Sequence, residues 1–227
     1  MTLLAYHNDP KIKHKYLSRV RAHRKADELI SGTYWEDGKG CAVGCTIHGS
    51  DHSRYLDELG IPVEIAYLED AIFEGLPNGQ ALKWPEAFLS AIRPGVDLSM
   101  VWPKFAYWLL VDEKHGVVRF SKEEKDVEDA INQVAGLYKQ WIDEDVKPNQ
   151  RKWDAAWNAA WIAAWAAENA AGAAARAAAG AAARAAAGAA AGAAATAAAG
   201  AAATAAARAA HWQTMSQKLI KLLKEAR

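Results

Sequence analysis

The chain has 227 residues, with Lys plus Arg and Asp plus Glu balanced at 27 each. That length fits one large or two small domains, and the charge balance removes any global electrostatic case for nucleic acid or an anionic membrane as partner. The opening Met-Thr-Leu-Leu-Ala-Tyr-His-Asn-Asp-Pro lacks a basic n-region and an apolar run of signal length, which reads as a cytoplasmic chain; the two cysteines, four residues apart, read as reduced thiols.

Asp9-Pro10 is a helix start, Asp as N-cap and Pro at the first helical position. Ile12, Tyr16, Leu17, Val20 and Leu29 mark its buried face as far as Gly32, and Lys11, Lys13, Lys15, Arg19, Arg21, Arg24 and Lys25 form a solvated outer face. Thr33 to Gly40 reads as a polar loop anchored by Tyr34 and Trp35. A short helix through Arg54–Leu59 is closed by Gly60, and Pro62 starts the next, with Ile65, Leu68 and Ile72 on its inner side. Trp84-Pro85 opens a brief helix that Arg93-Pro94-Gly95 ends.

A helix containing Trp102, Phe105, Trp108, Leu109 and Leu110 is apolar nearly all round and is the candidate core centre. Val117 to Phe120 is the one run with strand character. Ser121 and Glu124 form a capping box ahead of an amphipathic helix marked by Val127, Ile131, Val134, Leu137 and Trp141. The expected fold is therefore all-α: a multi-helix bundle over residues 1–147, followed over 148–227 by a long Ala-rich helical extension.

That extension has a four-residue period. Trp153, Trp157, Trp161 and Trp165 form one ladder, and a series of Gly, Arg and Thr follows from Gly172 to Arg208. Alanine is the strongest helix former, so helix is expected despite about 1 kcal/mol for each glycine. A period of four advances about 40° beyond a full turn, so the Gly/Arg/Thr series cannot stay on one face. Four tryptophans drift little enough to share one aromatic ridge, against the bundle, a second copy or a stacking ligand. Ala185 to Ala207 has no charges, yet alanine and glycine offer too little apolar area for membrane insertion. The chain ends on an amphipathic helix with Trp212, Met215, Leu219, Leu222 and Leu223 along one face, which either docks on a partner, the commoner outcome for so short a piece, or lies on a membrane surface.

Gly38 to His52 concentrates the chemistry. Cys41, Cys45, His48 and His52 fall at i, i+4, i+7 and i+11, the residue types of a zinc site. On one straight helix the end residues would be roughly 16 Å apart, so a four-ligand set needs a bend at Gly44 or Gly49. A second reading makes Cys41 a nucleophile at a helix start, with His48 or His115 as its base. A third makes Gly40, Cys41, Gly44 and Cys45 small packing residues that admit a close neighbour.

The run Tyr34-Trp35-Glu36-Asp37-Gly38-Lys39-Gly40-Cys41-Ala42-Val43-Gly44-Cys45, with His48, His52, Leu59 to Pro62, Leu68 to Asp70 and Phe73 to Pro77, resembles a family of uncharacterised bacterial and phage-associated proteins. The resemblance spans roughly residues 5 to 145 and implies one coherent domain; it transfers no catalytic residues. The functional expectation is a binding or assembly module. Trp153, Trp157, Trp161, Trp165, Trp212, Leu219 and Leu223 are its expected partner-facing residues, the partner is a second copy or another protein, and no nucleic acid or transmembrane segment is expected. A cysteine-nucleophile enzyme and a zinc-binding protein are the alternatives.

Overall fold

A computed structural model of the protein describes residues 4–121, 124–170, 173–186, 191–200 and 205–227. The fold is all-α apart from one two-stranded hairpin. By contacts the chain divides into two compact units, residues 1–101 with 216–227, and residues 102–215. The sequence divides by composition near residue 147; the packing boundaries fall instead within two helices, because the amphipathic helix before residue 147 packs on the helices after it.

In the first unit, α1 (Pro10–Lys25) begins as its sequence dictates, with Lys11 N–H donating to Asp9 Oδ1 at 2.8 Å. It stops well before Gly32. Asp27 takes a left-handed φ of 55°, and the following segment runs out to pair with the hairpin, Gly40 N–H donating to Glu28 O and Ile30 N–H to Gly40 O. Strands β1 (Trp35–Glu36) and β2 (Lys39–Gly40) pair antiparallel. They are joined by Asp37-Gly38, both at positive φ, the backbone a two-residue hairpin turn requires. Helix α2 (Ala42–Ile47) follows directly and is buried along its whole length. It packs against α1, α4 (Val63–Gly75) and α6 (Trp84–Ala91). Helix α3 (Arg54–Leu59) ends on Gly60 at φ 63°, and α5 (Asn78–Ala81) is a single turn. The C-terminus is fastened to this unit, since Asp97 N–H donates to Arg227 O and Arg93 Nη2 to Ala226 O.

The second unit is built on α7 (Val101–Val111), whose Phe105, Leu109 and Leu110 are fully buried, and on α8 (Lys125–Glu144). Val117–Phe120 is a 3-10 turn and not a strand: it has no partner strand among the described residues, and its first residue packs inward. Ser121 donates its hydroxyl to Val118 O, and Glu124 stands as N-cap of α8.

The Ala-rich part is several helices, α9 (Gln150–Ala170), α10 (Ala173–Ala186) and α11 (Ala191–Gly200), before α12 (Ala205–Glu225). Helix α10 packs on α8, α9 and α11, so the extension folds back instead of standing out as a rod. Methyl side chains permit this: Ala178, Ala181, Ala182, Ala183 and Ala185 are buried, and the Tyr138 hydroxyl reaches past them to donate to Ala185 O at 2.5 Å. Trp153 closes the same core, its ring 4.8 Å from Tyr138, its Nε1 donating to Pro148 O. No described helix is long and apolar enough to cross a membrane.

One buried group makes this unit acid-sensitive. His211 on α12 is buried with no hydrogen-bond partner for Nε2 among the described residues. Burial first, then the charges of Arg119 and His115, lowers its pKa to about 4. Because the folded value lies below the unfolded one, the neutral ring contributes stability above about pH 6.5 that is lost at about 1.4 kcal/mol per pH unit as pH falls toward 4. Denaturant midpoints measured across that range should fall steeply for the native chain and less steeply for His211→Gln.

Candidate metal centre

Cys41 sits where β2 turns into α2. Its sulfur is the N-cap of that helix, accepting from Gly44 N–H at 3.4 Å, and its own amide donates to Thr33 O at 2.7 Å. The position is set by glycines. A Cβ on Gly40 would lie 2.0 Å from the Tyr34 carbonyl oxygen, and one on Gly44 only 1.4 Å from the same atom. Only a bare α-carbon lets the Tyr34 backbone lie against the start of α2, and this contact forms one wall of the site.

Helix α4 supplies the opposite wall. Asp70 and Glu74, one turn apart, face Cys41, and their carboxylate oxygens and the Cys41 sulfur all lie within 4.8 Å of one another. With Gly32, Thr33 and Tyr34 they line a pocket of about 270 Å³. Asp70 is only 9% exposed; His52 Nε2 meets its Oδ2 at 3.3 Å, while Oδ1 is buried without a hydrogen-bond partner among the described residues. His52 is itself held, stacked on Tyr67 at 4.3 Å and edge-on to Tyr34 at 5.5 Å. Glu74 accepts from Gly32 N–H at 3.0 Å.

Three acidic groups crowd one pocket, and two of them, Cys41 and Glu74, hold their protons more tightly than usual. Burial, then the Asp70 carboxylate, pushes the Cys41 thiol far above the ordinary range. Burial, with Asp70 adding to it against the Gly32 amide, also raises Glu74. Next to Asp70 on α4, Glu69 faces the core. It is fully buried, burial raises its pKa strongly, and the Tyr55 hydroxyl donates to its Oε2.

The structure separates most of the residues that the sequence grouped. Cys41 lines the pocket. Cys45, one turn on, points instead toward Gly40 O at 3.3 Å and Glu28 O at 3.6 Å, with its thiol pushed up to about 12, chiefly by burial. His48 is the left-handed C-cap of α2, stacked on Trp35 at 4.5 Å, and its Nε2 is 2.8 Å from His23 Nε2. His52 reaches the pocket only through Asp70. His115 belongs to the second unit, 6.0 Å from Trp108. The Cys41, Cys45, His48 and His52 set is thus not assembled around one point, because α2 ends at His48 and sends its side chains in different directions.

Among the aromatic and aliphatic residues expected to face a partner, Trp153, Trp212, Leu219 and Leu223 are buried, Trp157 and Trp161 are 40% and 41% exposed, and the side chain of Trp165 lies outside the described ones. Asp70 and Glu74 escaped the sequence reading. Their signal was their spacing of four on a helix otherwise read only for its apolar face. Comparison with protein-family models, with curated proteins and with solved structures finds no match.

The glycine contact is directly testable. Gly44→Ala places a methyl group inside the Tyr34 carbonyl, so the first unit should lose on the order of 3 kcal/mol or more, whereas Gly136→Ala, with nothing within 4 Å of the added carbon, should be neutral or stabilising in urea denaturation.

Proposed function

We propose that the first unit is a binding module for a divalent cation of the zinc class, taken up by Cys41 Sγ, Asp70 and Glu74. The observation that carries the reading is the buried, unpartnered Asp70 Oδ1 beside a thiol and a second carboxylate. A buried carboxylate oxygen without a hydrogen-bond partner is costly; His52 meets only the other oxygen of Asp70, and no Lys or Arg lines this pocket. A cation removes that cost and favours the thiolate and carboxylate forms that bind it.

Donors on a tetrahedral ion lie roughly 3.5 Å apart. The present separations, within 4.8 Å, are close to that spacing. One thiolate with two carboxylates suits a borderline ion better than magnesium or calcium, which prefer all-oxygen shells. The His52–Asp70 contact supports the reading as an outer-shell bond that fixes a ligating carboxylate. The nucleophile reading has less support: the thiol is raised and not lowered, and neither His48 nor His115 meets Cys41.

Zinc affinity of the full chain, measured by competition with a chromogenic chelator, tests this. One equivalent should bind. His52→Gln should weaken binding by about 10–100-fold through loss of the outer-shell contact, and Asp70→Asn or Cys41→Ser should weaken it further. Equal affinity in Asp70→Asn and the native chain would refute the site.

A second reading, self-association through the tryptophan face of α9, is favoured by its own observation. Trp157 and Trp161 lie 6.1 Å apart edge to face, and with Ile162, 70% exposed, they leave bulky apolar surface on one helix. Light scattering of the full chain should then report a multimer that Trp157→Ser with Ile162→Lys returns to monomer; a monomeric native chain would dispose of this reading.

A further inference from the structure

The chemistry of the metal centre extends one step beyond holding an ion, and this step rests on the cation-binding reading above. Among the described residues only three donors converge: Cys41, Asp70 and Glu74. His52 cannot be counted as a fourth, because its Nε2 meets the Asp70 Oδ2 and its ring is fixed between Tyr34 and Tyr67. Zinc and its neighbours in the first transition row take at least four ligands, and sites that serve only structure fill all four from the protein. The remaining position must therefore be filled from the pocket.

The pocket has room for this. Its volume of about 270 Å³ compares with the roughly 30 Å³ that one water occupies in the liquid. It can hold several waters or one small organic molecule beside the ion. Its backbone groups are already engaged: Gly32 N–H by Glu74, Thr33 O by the Cys41 amide, and Tyr34 O against Gly40 and Gly44. Thr33 and Tyr34, which line the pocket, carry hydroxyl groups of their own.

Charge selects the guest. A thiolate and two carboxylates around a divalent ion sum to one negative charge, and no basic side chain lines the pocket to offset it. An anion entering the free position meets net repulsion, worth about fivefold or more in affinity for a unit charge at contact distance. A neutral donor does not. We propose that the Cys41–Asp70–Glu74 centre is an open site whose exchangeable position binds a small, neutral oxygen- or nitrogen-donor ligand in the Gly32–Tyr34 pocket, in preference to an anion.

Cobalt(II) makes the position visible. The full chain is loaded anaerobically with Co²⁺ and titrated with imidazole, a neutral donor at pH 8, and separately with azide. The thiolate-to-cobalt charge-transfer band should appear in the native chain and vanish in Cys41→Ser. Imidazole should shift the visible d–d bands saturably with the charge-transfer band retained, and azide should bind about fivefold or more weakly. A charge-transfer band with d–d bands that imidazole leaves unmoved would overturn the open position while sparing the ion-binding reading. Azide binding as tightly as imidazole would overturn the ligand class. Absence of any thiolate–cobalt band would overturn the ion-binding reading and this inference with it.

Discussion

The packing of the Tyr34 carbonyl against two bare α-carbons, Gly40 and Gly44, is the contact on which the site depends. It brings the segment before the hairpin down onto the first turn of α2. There the chain can reverse through Asp37-Gly38, and Cys41 can follow the last hairpin residue directly and serve as N-cap of the helix. The glycine spacing of four, which on sequence grounds admits a neighbouring helix, admits a backbone carbonyl instead. The small-residue reading of Gly40 and Gly44 is therefore sound in its physics, although the neighbour is of another kind.

Two adjacent carboxylates on α4 show how differently the fold treats the same chemistry. Glu69 points into the core, where burial favours its neutral form and the Tyr55 hydroxyl and the Trp84 indole, the latter on its backbone carbonyl, hold the segment. Asp70, turned about 100° around the helix, keeps one oxygen on His52 and brings its carboxylate to Cys41 and Glu74. A thiol and two carboxylates gathered with no Lys or Arg lining their pocket, and with the His52 imidazole on Asp70 alone, are the arrangement of a cation site, and a pocket beside them is what an ion with an open position uses.

Helix starts and stops were readable because each rests on local chemistry: Asp9-Pro10, Gly60, Pro62 and Trp84-Pro85 behave as their types require. The hairpin was hidden because its strands are two residues each, too short for any alternation, although Asp37-Gly38 carried the turn signal. The early end of α1 depends on Glu28 and Ile30 pairing with Gly40, a long-range contact that no local pattern encodes. The site was half legible. Cys41 stood out by type and context, but its partners come from α4, some thirty positions on, and the histidines close to it in sequence are drawn off by Trp35, His23 and Asp70. Proximity along the chain misled where the fold brings α4 across. In the Ala-rich part, composition foretold helix, and the return of α10 onto α8 and α9 follows from methyl side chains that let backbones approach.

X-ray absorption at the zinc edge, on full-length protein purified without a metal-affinity tag and loaded with one equivalent of zinc, examines the central claim most directly. The account predicts a first shell of one sulfur at about 2.3 Å with the remainder oxygen or nitrogen at about 2.0–2.2 Å, and loss of the sulfur in Cys41→Ser. Two sulfurs in the shell would place Cys45 on the ion and contradict the geometry described here, as would a shell with no sulfur.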